Sequence, residues 1–214
     1  MKREPSSLHR VCLASFLLAT AFQSMTPVLP TYSRDYLGAT VTEVGLIMSV
    51  GSFFAIITRP LVGYFVREKI KQAYLLSIIM SAPLVMARAL VKAPLEMILM
   101  GALLGLFLAI FDPVAMALVT EVVPSGERDR ALIAYTTSVS AGLMTGPALG
   151  GIIITAMGIR SVFFFATMVL VVSALTASRI RPRTGKMEPE SKSPLKPNLR
   201  RILTNKFIVM AIVV

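Results

Sequence analysis

An aspartate and an arginine stand inside stretches that otherwise carry no charge: Asp112 between Met97 and Thr120, and Arg59 between Val44 and Val66. A carboxylate among apolar residues pairs with a cation, binds and releases a proton or a cationic solute, or faces a water-filled vestibule. At the centre of a membrane helix it costs about 2.5–3.5 kcal/mol to insert, so it is expected to have a partner, a solute or water beside it. Arg59 lies eight residues before Arg67, and Asp112 lies nine before Glu121. At about 1.5 Å per residue this gives similar depths of about 12 and 13 Å, so the two are candidates to meet. The readings are not exclusive, because a pair whose aspartate protonates as access changes couples proton flow to movement. Gln23, Ser24 and Thr26 form a polar cluster that would suit a solute pathway, against the plainer reading that such hydroxyls bond back to their own helix.

Other chemistries lack their residue types. His9 is the one histidine and lies in the basic amino-terminal tail, and Cys12 is the one cysteine. No histidine–cysteine metal site, intrachain disulfide or nucleophile–base arrangement follows, so neither an enzyme nor a metal is expected. The expected cofactor list is empty, with the proton as coupling ion.

The elements that must position these residues are set by composition. The chain has 214 residues, 55% of them hydrophobic and 15% charged, with a mean hydropathy of +0.75, which describes an integral membrane protein. Uncharged or nearly uncharged runs predict six spans over 11–31, 44–66, 72–91, 97–120, 131–157 and 161–178, after a tail over 1–10. A basic, proline-containing linker is expected over 179–206. The eight residues 207–214 read as the start of a seventh span, about 12 Å of helix where a bilayer core needs about 30 Å. The net charge of +11 follows membrane topology, with 17 Lys and Arg on the side of the amino terminus, Arg34, Arg88, Lys92 and Arg160 on the other, and Arg59 within a span. The positive-inside rule then puts the amino terminus and the linker in the cytoplasm. With no aromatic interleaving and no soluble domain, this charge does not point to nucleic acid. The basic start and Ala19-Thr20-Ala21 resemble a signal peptide, but the apolar run continues to Leu29, and cleavage would destroy the loop alternation.

Two short motifs recur at nearly one offset. Thr26-Pro27-Val28 returns as Asp112-Pro113-Val114 after 86 residues, and Arg59-Pro60-Leu61-Val62-Gly63 returns as Gly146-Pro147-Ala148-Leu149-Gly150 after 87. An offset of three spans reverses orientation, so spans 1–3 and 4–6 read as inverted repeats, a construction common in secondary transporters. Pro27 and Pro113 would free the carbonyls of Gln23 and Ala109 near mid-membrane. Gly142, Gly146, Pro147, Gly150 and Gly151 lie within 27 uncharged residues, 131–157, and predict a bent, closely packed helix, a hinge or seal.

That segment resembles the G-x3-GP-x2-GG motif of span 5 in the drug and metabolite antiporters of the major facilitator superfamily. Arg59 to Gly63, followed by Arg67-Glu68-Lys69-Ile70-Lys71, is similar to the superfamily's loop joining spans 2 and 3, with the order of its opposite charges reversed. Glu121 and the Pro124 to Arg130 turn resemble the end of span 4 and the turn after it. The resemblance implies an all-α amino-terminal six-helix bundle, with spans 1 and 4 along a central cavity and spans 2 and 5 at the interface between halves. It implies a cytoplasmic gate at Gly63, Arg67, Glu68, Lys71, Glu121 and Arg128, and a packing partner for Gly142 to Gly151 in a carboxy-terminal half outside this chain. The expected activity is proton-coupled efflux of a small drug-like or metabolite solute across the cell membrane, with the lipid bilayer, the solute and the second half as partners. The alternative is a truncated, non-transporting remnant or scaffold.

Overall fold

The computed structural model describes residues 6–65 and 69–181, with side chains undescribed at Ser6 and in most of the last turn before residue 66. Compact unit 1 covers Met1–Arg183; unit 2, Thr184–Val214, lies outside the described residues, as do the linker beyond Arg181 and the start of the seventh span. The described residues form seven α-helices and no strand: α1 (Ser6–Met25), α2 (Leu29–Leu37), α3 (Val41–Phe65), α4 (Ile70–Arg88), α5 (Pro94–Val122), α6 (Arg128–Met157) and α7 (Ser161–Ser178). Five stretches are long and apolar enough to cross a membrane: Val41–Arg59, Ile70–Arg88, Pro94–Val122, Ser125–Met157 and Ser161–Ser178. The bent pair α1 and α2 makes a sixth. The protein is a multi-pass, all-helical membrane protein.

Local chemistry fixes several helix ends. Thr40 and Glu43 form a reciprocal cap at the start of α3, Glu43 Oε2 accepting from the Thr40 amide at 2.8 Å while the Glu43 amide donates to Thr40 Oγ1 at 3.3 Å. Pro94 opens α5, where its missing N–H costs nothing. Gly38 closes α2 at φ 65°, a left-handed conformation that side chains resist.

The strongest helix pairings reproduce the inverted repeat. α1 packs on α6 and α7, as α5 packs on α3 and α4, and each of these pairs maps onto the other when the first three spans exchange with the last three. Buried polar contacts tie the bundle. Ser15 Oγ and Tyr74 Oη meet at 2.9 Å between α1 and α4, and Ser173 Oγ donates to the Ala14 carbonyl at 2.7 Å between α7 and α1. Tyr74 also stacks on Phe111 of α5, ring centroids 5.1 Å apart.

Three expectations change here. The run expected as one span over 11–31 breaks at Thr26-Pro27-Val28, and its two helices meet at 42°. Pro27 and Pro30 both lack an N–H, which removes donors on successive turns. The break falls about 30 Å along α1, roughly two-thirds of the way along the bent pair. Pro113 and Pro147 sit inside α5 and α6, which run on unbroken, so α5 has no counterpart of the Pro27 break, and the glycine–proline segment, expected as a hinge or seal in a bent helix, lies within an uninterrupted α6. The third change concerns the glycines themselves. Gly142, Gly146 and Gly150 lie on the buried stripe of α6 and press against the backbone of α1 within this chain. A Cβ on Gly142 would stand 2.6 Å from the Phe16 carbonyl oxygen, and one on Gly146 would stand 2.6 Å from Gln23 Cβ.

The adjacent pair Gly150 and Gly151 separates close packing from helix propensity. A Cβ on Gly150 collides with the backbone of Ser24, whereas one on Gly151 meets nothing within 4 Å. In detergent or nanodiscs, Gly150→Ala is expected to destabilise the chain by about 1–3 kcal/mol, and Gly151→Ala to stay within about 0.5 kcal/mol of the parent. Thermal unfolding followed by circular dichroism checks this, and equal effects would contradict the packing described.

Candidate functional site

Two glycine-sealed helix pairs leave a seam between them, and the seam holds a cavity of about 370 Å³. On the α3–α5 side Gly105 approaches Gly51 so closely that an added Cβ would lie 2.7 Å from the Gly51 Cα. The cavity wall is largely apolar, with Leu18 and Phe22 from α1, Leu104, Leu108 and Phe111 from α5, and Leu143 from α6. Its polar groups are few: Ser15, Gln23, Thr26, Ser52, Arg88 and Asp112. A mostly apolar space with a small number of placed polar groups is the ordinary form of a small-molecule site.

Asp112 and Arg59 meet, Arg59 Nη2 donating to Asp112 Oδ2 at 3.2 Å across α3 and α5. The two side chains keep 55% and 57% of their surface exposed, so in this half the pair is open on one side. The ion-pair reading of Asp112 therefore holds geometrically, and the carboxylate also borders the cavity, which keeps it within reach of a solute or a water-borne proton.

Gln23 and Thr26 are joined by a 2.9 Å hydrogen bond from Thr26 Oγ1 to Gln23 Oε1, beside the Pro27 break. Thr26 Oγ1 also lies 3.0 Å from the Phe22 carbonyl, so its single proton is shared between these two acceptors, and the back-bonding expected of such hydroxyls and the cavity-lining position both occur. Thr20 and Thr145, on the glycine-sealed α1–α6 contact, approach at 3.3 Å.

The family model described as Major Facilitator Superfamily matches residues 11–214. The chain belongs to the major facilitator superfamily. It is 32% identical over 185 residues to Multidrug resistance protein MdtG of Citrobacter koseri, covering 81% of this chain and 45% of that protein. To Multidrug resistance protein MdtG of Escherichia coli O1:K1 / APEC it is 30% identical over 200 residues, 90% of this chain and 48% of the relative. The chain spans about half the length of these relatives.

The superfamily's expected gate is only partly in view. Arg67 and Glu68 lie outside the described residues, and Gly63 falls in the last turn of α3. Lys71 opens α4, Glu121 closes α5 and Arg128 opens α6, all half-buried at one end of the bundle. Glu121 makes no ion pair or hydrogen bond among the described residues.

Sequence reasoning placed Arg88 near a span end, on the far side, and missed its part in the cavity. The residue is 5% exposed and turned into the bundle beside Gly101. The available signal was Gly101 and Gly105 on the facing helix, which clear room for a large side chain or a backbone.

The Arg59–Asp112 pair gives a test independent of transport. Removing one partner leaves the other charge unmatched, while removing both leaves two neutral polar groups. Arg59→Gln and Asp112→Asn are each expected to lower the melting temperature in nanodiscs by about 2–4 °C, equivalent to about 1 kcal/mol, and the double variant to recover most of it. A double variant that loses the sum of the two single losses would show that the contact carries no coupling.

Proposed function

We propose that the chain is the amino-terminal half of a secondary active transporter of the cell membrane, which moves a small drug-like or metabolite solute outward in exchange for protons. The observation that carries this reading is the carboxylate of Asp112, paired to Arg59 at 3.2 Å and opening on a largely apolar cavity in a superfamily bundle. Protonating Asp112 would release Arg59 and alter the charge of the cavity wall, which is how proton binding and solute binding exclude one another in an exchanger. The multidrug resistance names of the relatives support an exported, drug-like solute.

The basic residues at one end support a cytoplasmic amino terminus, while the outward direction rests on the names of the relatives. Contact with the second half falls to α3 and α6, the least buried spans, whose exposed residues include Phe53, Ile56, Met144 and Ile152. The chain contributes half of the site in this reading, and alone it carries no solute. That outcome is favoured by its coverage of 45–48% of the relatives' length.

Inside-out vesicles holding the chain together with a matching carboxy-terminal half provide the assay. An inward-acid proton gradient should drive dye accumulation, Asp112→Asn should reduce it by about tenfold or more, and the chain alone should show none. Undiminished gradient-driven uptake with Asp112→Asn, including an unchanged pH profile, would rule out Asp112 as the coupling residue.

A further inference from the structure

The cavity is bordered by a cation that no acceptor answers among the described residues. Arg88, in the last turn of α4, is 5% exposed, and its Nε is sealed from solvent without a hydrogen-bond partner. It forms no ion pair or hydrogen bond among the described residues. A surface arginine at a span end extends its head toward the membrane edge and water, but this one turns inward and borders the cavity. The negative end of the α4 dipole favours a cation there, yet it supplies no acceptor for the guanidinium. Gly101 on the facing α5 makes the space, because a Cβ there would stand 3.3 Å from Arg88 Nη2.

The other cavity charge is already matched. Asp112 is held by Arg59, and it lies 11 residues along α5 from Gly101, about 16 Å away. One positive charge is therefore left over at the Gly101 end, and the wall between is formed by Leu104, Leu108, Phe111 and Phe22. A planar guanidinium with free donors binds a carboxylate through two parallel hydrogen bonds, more strongly than it binds a neutral acceptor.

We propose that Arg88 is the anion-recognition residue of this cavity, and that the solute is a small amphipathic carboxylate whose acid group docks on the guanidinium while its apolar body lies along α5 and α1. The inference rests on the cavity being the solute site, as proposed above, and it narrows the solute from drug-like to anionic.

Two fluorescent probes with the same dansyl group and five-methylene arm separate the two ideas: 6-(dansylamino)hexanoic acid carries a carboxylate and dansylcadaverine an ammonium. The 214-residue chain in phosphatidylcholine nanodiscs is expected to bind the carboxylate probe about tenfold or more tightly than dansylcadaverine. Arg88→Gln should remove that preference, and Arg88→Lys, which keeps the charge without the fork, should retain part of it. Adding phosphatidylglycerol should leave the preference in place; its loss would hand the site to a lipid headgroup and overturn the solute assignment. Equal or tighter binding of dansylcadaverine by the parent chain needs no variant to interpret and overturns the anion proposal alone. An Arg88→Gln chain with parental helicity and an intact preference overturns it too. If neither probe binds saturably even with a matching carboxy-terminal half supplied, the cavity is not the solute site and the broader proposal fails with it.

Discussion

Close backbone approach through glycine is the constraint on which this bundle depends. In a bilayer, helices gain nothing by hiding apolar surface from lipid tails, so they associate where small residues allow extended van der Waals contact. Here that happens twice, at Gly142, Gly146 and Gly150 of α6 against α1, and at Gly105 of α5 against Gly51 of α3. α4 and α7 brace the pairs from behind through the Ser15–Tyr74 contact, the Tyr74–Phe111 stack and the Ser173 bond to Ala14. With each pair zipped, the space between them is the cavity of about 370 Å³.

The charges are tied to the same contacts. Arg59 and Asp112 meet across α3 and α5, the helices that Gly51 and Gly105 hold together, so a shift that parts the glycines also strains the ion pair. This couples electrostatics to helix packing without any further element. On the other side, α6 turns Gly142, Gly146 and Gly150 inward and Met144 outward, the latter keeping 79% of its surface. The seal within the half and the face offered beyond it are thus opposite sides of one helix.

Much of this was legible in the chain, and the exceptions have physical reasons. Spans, repeats and the Arg59–Asp112 meeting follow from hydropathy and matched depth, which depend on helical rise and little else. The side of α6 on which its glycines act was not legible, because a glycine motif announces close approach without naming the neighbour. Thr26-Pro27-Val28 and Asp112-Pro113-Val114 are similar in sequence but differ in outcome, since Pro30 adds a second missing donor in one and nothing similar follows in the other. Arg88 was read as a loop-end charge because its inward turn depends on Gly101, a residue of another helix.

The central claim, that α6 is sealed onto α1 inside this chain, is open to a direct measurement. Thr20 and Thr145 are 3.3 Å apart at their hydroxyl oxygens on that contact, and Met144 is the neighbouring residue on the exposed side. In native membranes, in a Cys12→Ser background, Thr20→Cys with Thr145→Cys should form a disulfide in most molecules under mild oxidation, and Thr20→Cys with Met144→Cys should not. Efficient cross-linking of the second pair with none of the first would mean that α6 turns its glycines away from α1, and the account would be wrong.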